Sequence, residues 1–262
     1  MIIKLPRREG TQSEGKDMAT QKKVALISGA NKGIGLETAR QLGKQGITVI
    51  LGARDLAKGE AAAAELKKEG IDATAVKFDV GDAADIKAAA EKVEKDYGKL
   101  DILINNAGVM FEPIGGNNST SVSDDVLRKT FDTNFFSVIA VTNAFLPLLK
   151  KSDAGRIVNV SSILGSLTLH ATEGSPIYEA KALAYDSSKT AQNSYTVHLA
   201  HELKGTNIKV NSAHPGWVKT DMGTDAAPMD IVDGAKTEVE LATLGADGPT
   251  GGFFHMGEAI SW

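Results

Sequence analysis

Apolar and polar positions divide the chain into short β-branched runs separated by longer amphipathic stretches. Runs at 24–28, 47–51, 73–78, 100–104, 156–160 and 208–213 read as strands, and Gly251-Gly252-Phe253-Phe254 reads as a last one. After the first run, Leu36, Ala39 and Leu42 recur at helical spacing, and Gly46 closes that segment as a C-cap glycine does. Asp55 caps a helix running through Lys68, and Asp82 caps another with Ile86, Ala90, Val93 and Tyr97 on one stripe. Long helices follow at about 124–150 and 184–204.

Strands that are apolar throughout, alternating with amphipathic helices, require a parallel sheet covered on both faces. The expected fold class is α/β: a Rossmann-type doubly wound parallel sheet of about seven strands. Residues 22–262 are expected to form one domain. Residues 1–21 are polar, charged and without periodicity; they are expected to be a disordered leader or cloning remnant, with Met18 a natural start. Three irregular segments, 110–121, 163–183 and 216–232, follow strand ends, where an open α/β sheet builds its ligand crevice.

Composition narrows the function classes. The net charge of −4, with Lys and Arg spread along the chain, gives no nucleic-acid footprint. The absence of cysteine excludes disulfides, thiolate metal sites and a cysteine nucleophile. No apolar run looks long enough to span a bilayer and no signal-peptide core is present, so a soluble cytoplasmic protein is the expectation.

The glycine-rich turn Gly29-Ala30-Asn31-Lys32-Gly33-Ile34-Gly35 runs from the first strand into a helix. Such a turn is either structural punctuation or a phosphate cradle, because the first amides of a helix lack internal partners and the helix dipole favours an anion there. Asp79-Val80 and Asn105-Asn106-Ala107-Gly108 end the third and fourth strands and point at the same crevice; each is also an ordinary turn signal. Tyr185 and Lys189 stand four apart on a predicted helix and so share a face. They form a surface pair or an acid–base pair in which an ammonium acidifies a phenol. Ser161 and Ser162 follow the fifth strand, as turn residues or as donors to a substrate oxygen. Asn134 sits among phenylalanines on the long helix and must be hydrogen-bonded.

Together, these motifs resemble the short-chain dehydrogenase/reductase family over about 22–262, in order and in placement; the closest likeness is to its carbonyl-reductase-like, NADPH-dependent members. The resemblance implies a catalytic set of Asn134, Ser162, Tyr185 and Lys189. In it the tyrosine protonates the carbonyl oxygen, the serine steadies that oxygen, the lysine lowers the tyrosine pKa and holds the nicotinamide ribose, and the asparagine organises a relay water. Ser162 is preferred to Ser161 because it precedes x-x-Gly, and Tyr178 with Lys181 is a decoy one residue short. The serine-to-tyrosine interval is longer than in most members, as in monomeric carbonyl reductases, so both self-association and a monomer stay open.

The resemblance also implies the cofactor contacts. Gly29, Asn31, Lys32, Gly33, Ile34 and Gly35 would hold the pyrophosphate, and Asp79, Val80, Asn106, Ala107 and Gly108 would border the site. Tyr185 and Lys189 would touch the ribose, and Pro215, Gly216, Val218 and Thr220 would line the nicotinamide end. Arg54, after the second strand, stands where a guanidinium pairs with a 2′-phosphate, and Lys32 is the second basic mark of that preference; the expected cofactor is NADP(H). Asp55 reads as an N-cap, His214 as a loop-entry histidine and 223–232 as a substrate lid. No metal is expected. The function that follows is reversible reduction of a small-molecule ketone or aldehyde; a non-catalytic NADP-binding redox sensor is the alternative.

Overall fold

The computed structural model describes residues 22–115 and 119–262. The expected leader lies outside the described residues. In chain order the elements are β1 (Val24–Ser28), α1 (Gly33–Lys44), β2 (Thr48–Ala53), α2 (Leu56–Lys68), β3 (Ala73–Lys77), α3 (Ala83–Tyr97) and β4 (Ile102–Asn105). The second half holds α4 (Asp124–Phe131), a π-helical turn (Asp132–Phe136), α5 (Ser137–Leu149), β5 (Arg156–Val160), α6 (Leu167–Ala171) and α7 (Leu183–Glu202). It ends with β6 (Lys209–Ala213), α8 (Ile231–Gly234), α9 (Lys236–Ala242), β7 (Phe253–His255) and β8 (Glu258–Ala259).

The strands form one sheet in the order β3-β2-β1-β4-β5-β6-β7-β8, parallel except for the β7–β8 pair. The eighth strand was not expected. It is two residues long, pairing Phe254 with Ala259 and His255 with Glu258 across a turn, too short for any period-2 pattern. Consecutive residues of β1 enter opposite cores, as the pleat requires: Ala25 and Ile27 pack with Leu42, Leu66 and Val239, while Val24 and Leu26 pack with Val93, Phe145 and Leu199. Helices α1, α2 and α9 thus cover one face and α3, α5 and α7 the other. Asp55 and Asp82 cap α2 and α3 as expected.

The strand order reverses between β1 and β4, and that switch point opens the crevice. Two expectations on helices needed revision. The 163–183 segment contains a short 3₁₀ turn (Ile163–Gly165) and α6, and α8 and α9 lie in a stretch where no helix was expected. The helical run Asp124–Leu149, interrupted by the π turn, does reach the length and apolarity of a bilayer span; its apolar side is packed into the core through Val141, Phe145, Leu148 and Leu149.

Candidate active site

A cleft of about 970 Å³ lies along the C-terminal ends of β1, β2, β4 and β5. The turn after β1 forms its floor. Gly29 and Gly33 have φ of +64° and +60°, the left-handed region that glycine occupies without penalty. A side chain at Gly35 would strike Asn106 Nδ2 at 2.5 Å and the Gly29 carbonyl at 2.9 Å. Asn106 donates from Nδ2 to the carbonyls of Ser28 (2.8 Å) and Gly29 (3.2 Å), while Ser28 Oγ accepts from the amides of Asn106 and Ala107. The β1 and β4 exits are therefore stitched together, which fixes the turn. Helix α1 starts with neither a side-chain cap nor an acidic residue in its first turn, so its positive end is turned to the cleft wall made by Gly33, Ile34 and Gly35.

Arg54 leaves β2 at the rim of the cleft and has no hydrogen-bond or ion-pair partner among the described residues. Lys32, expected to join it at a phosphate, also lines the cleft and is ion-paired with Asp221 of the segment after β6. No sequence signal marks Asp221 for that contact. Asn31, Asp79, Val80, Ala107, Gly108, Pro215 and Thr220 line the cleft. Gly216 and Val218 stand outside the lining. Val218 is buried, and a side chain at Gly234 would meet it at 2.6 Å.

Helix α7 brings Tyr185 and Lys189 to the cleft wall, both buried. Ser162, at the β5 exit, places its hydroxyl near the Tyr185 phenol, and its Oγ accepts from the Leu164 amide at 3.2 Å. Ser161 lines the cleft, and its buried hydroxyl has no hydrogen-bond partner among the described residues. Lys189 Nζ lies 5.7 Å from the Tyr185 ring centroid, donating to the Val160 carbonyl at 2.7 Å and to Gln192 Oε1 at 3.2 Å. Burial pushes the Tyr185 phenol up to about 12, with the nearby Ser162 hydroxyl opposing it, and pushes Lys189 down to about 8, with Glu238 opposing it. Desolvation of the ring is the largest influence on this phenol in the structure.

Asn134 lies behind the cleft wall in the π turn. Its Oδ1 accepts from the Val109 amide (2.8 Å), and its Nδ2 donates to the Val109 carbonyl (2.9 Å) and to Ser188 Oγ (3.0 Å). The side chain is fully occupied in tying the loop after β4 to α7. π turns inside α-helices cluster at functional sites. His214 is a bridging acceptor: its Nδ1 takes the amides of Ile163 (3.2 Å) and Gly216 (3.3 Å), and burial pushes its pKa down to about 3, so the ring is neutral. Tyr178 and Lys181 pair with each other away from the cleft, with the ammonium 5.2 Å from the ring centroid.

The sequence and the fold match known proteins over most of their length. The short chain dehydrogenase family model matches residues 23–230. Short-chain dehydrogenase/reductase 1 of Saponaria officinalis is 33% identical, with 94% of this chain and 98% of that protein covered. Carbonyl reductase [NADPH] 1 of Bos taurus is 32% identical, covering 94% of this chain and all of that one. The crystal structure of NADPH-bound carbonyl reductase from chicken fatty liver superposes with a TM-score of 0.80 at 28% identity, over 92% of this chain and 100% of the other. With its switch-point cleft, glycine turn and tyrosine–lysine helix, the chain belongs to the short-chain dehydrogenase/reductase family.

Proposed function

We propose that the protein is an NADPH-dependent carbonyl reductase, reducing a ketone or aldehyde to an alcohol and catalysing the reverse oxidation. The observation that carries this reading is the convergence of Tyr185, with Ser162 beside its phenol, and Lys189 on the same cleft as the glycine turn and Arg54, which is unpaired among the described residues. A dinucleotide fits that cleft: the glycine floor has no room for side chains at Gly35, the α1 terminus suits a pyrophosphate, and Arg54 is a guanidinium without a partner among the described residues. The carbonyl reductases with NADPH in their names are the relatives that favour NADP(H) over NAD(H).

NADPH bound there supplies hydride to the carbonyl carbon. Tyr185 Oη donates its proton to the carbonyl oxygen as charge develops on it, and a phenol held protonated is in the right form for that step. Ser162, beside the same phenol, steadies the forming alkoxide. Lys189, fixed on the Val160 carbonyl, sets a positive charge beside the ring and would hold the nicotinamide ribose. Asn134 holds the Val109 backbone, and with it the loop over the reacting centre.

A panel of ketones and aldehydes, followed by loss of reduced-nicotinamide absorbance with NADPH and with NADH, tests the reading. Turnover with NADPH is expected to exceed that with NADH, and Tyr185→Phe to cost roughly 10²- to 10⁴-fold in kcat, the range for loss of a general acid. Equal turnover in wild type and Tyr185→Phe would refute it.

A further inference from the structure

The helix that carries Tyr185 and Lys189 begins without a cap of its own. Its N-cap residue is Ala182, which has no side-chain oxygen to accept the orphan amides of the first turn. That turn is buried, so those amides cannot turn to water: Ala184 and Tyr185 are both in the core. The acceptor comes from 72 residues earlier in the chain. Glu112, in the loop after β4, is 3% exposed, and its Oε1 accepts from the Ala184 amide at 2.5 Å and the Tyr185 amide at 3.0 Å. The amide of the N-cap residue itself, Ala182, goes to Asp186 Oδ2 at 2.9 Å.

The loop that delivers this cap is itself pinned on both sides. Val109 is held by Asn134, and the Gly115 amide donates to the Lys181 carbonyl at 2.7 Å, just before α7 begins. Between those anchors Phe111 lines the cleft. One loop therefore faces the substrate side of the cleft and also terminates the helix that presents the phenol. A serine or aspartate at 182 would have capped the helix locally, with no tie to the loop.

We infer that Glu112 is a positioning residue for Tyr185: its Oε1 supplies the missing cap of α7, so that the cleft loop fixes the backbone from which the phenol projects. The inference rests on the reading of Tyr185 as the proton donor. Its tests are amide exchange over 182–188 and the kinetics of Glu112→Ala and Glu112→Gln. Glutamine keeps an acceptor for both amides; alanine keeps none. In the wild type the amides of Ala184 and Tyr185 exchange slowly. In Glu112→Ala they exchange faster, and kcat falls about 10-fold or more while KM for NADPH stays within about 2-fold; in Glu112→Gln kcat stays within about 3-fold of wild type. A cap that served stability alone would lower the melting temperature of Glu112→Ala and leave kcat per folded molecule within about 2-fold, which would overturn the inference. So would fast exchange of the two amides in the wild type, or a loss in Glu112→Gln as large as that expected for alanine; these two results decide the matter even if Glu112→Ala does not fold. A wild type that reduces no carbonyl would refute the proton-donor reading instead, and the exchange data would then judge the cap alone.

Discussion

Lys189 Nζ donates to the backbone carbonyl of Val160, the last residue of β5, at 2.7 Å, while lying 5.7 Å from the Tyr185 ring centroid. The ammonium is thereby fixed between a strand end and a helix, at the point where both meet the cleft. Burial pushes its pKa down to about 8, so the positive charge proposed to assist catalysis is lost in a mildly alkaline medium. The profile of kcat/KM for NADPH against pH reports groups of the free enzyme and should fall with an apparent pKa near 8. A profile flat well beyond that value would remove Lys189 from the proposed role.

Asp221 pairs with Lys32, one of the two cations proposed to meet a 2′-phosphate, whereas Arg54 has no such partner among the described residues. The two positions should respond in opposite directions. Arg54→Ala is expected to raise KM for NADPH about 10-fold or more and leave KM for NADH nearly unchanged, because only the 2′-phosphate is lost as a partner. Asp221→Asn frees Lys32 and should lower KM for NADPH by a factor of no more than about 5, since an exposed ion pair holds its partners only weakly. That gain should shrink as salt is added, because both groups are exposed. Initial rates with both cofactors at two ionic strengths test both statements.

Gly35 and Gly46 separate two reasons for glycine. A Cβ at Gly35 would lie 2.5 Å from Asn106 Nδ2 and 2.9 Å from the Gly29 carbonyl; at Gly46, where φ is +82°, it would meet nothing within 4 Å. Gly35→Ala is therefore expected to cost about 1–3 kcal/mol by overpacking and also to weaken NADPH binding, because it displaces the turn. Gly46→Ala should cost about 1–2 kcal/mol through its left-handed backbone alone, with KM unchanged. Urea denaturation alongside NADPH titration tells them apart.

His214 carries a pH dependence whose sign is fixed by its burial. Its pKa falls from an ordinary 6.5 to about 3, so below about pH 6.5 the unfolded chain binds a proton there that the folded chain refuses. Its contribution to stability is full above that value and is lost as pH falls toward 3. Asp186 and Glu238, pushed up to about 7 and about 8 by burial, act with the opposite sign: their contribution is present at low pH and is lost as pH rises through those values. The difference in unfolding free energy between wild type and His214→Gln isolates the histidine. It should be constant above about pH 7 and shift against the wild type on acidification; a difference independent of pH would contradict the buried neutral ring.

The legible parts of this protein are those encoded over a few residues. The strands from β1 to β7, the caps at Asp55 and Asp82, and the glycine turn each announce themselves by period or by residue type, and the order of those motifs places them at one end of the sheet. The misses have the same explanation in reverse. Strand β8 is two residues long, and α8 and α9 are four and seven, too short for a period to register. Asn134 could be recognised as a buried amide needing partners, but those partners, the Val109 backbone and Ser188, could not be named.

Local alternation of apolar and polar positions, with glycines where a side chain has no room, determined the α/β class, the crevice end of the sheet and the turn that floors the cleft. Only the tertiary structure decided how the loops over that crevice are joined: Lys32 to Asp221 across 189 residues, Glu112 to the first turn of α7 across 72, and Lys189 to Val160 across 29. Helix and strand periods are set by backbone geometry within a few residues. Which carboxylate meets which amide or ammonium depends on the path of whole loops, and a linear pattern does not carry that path.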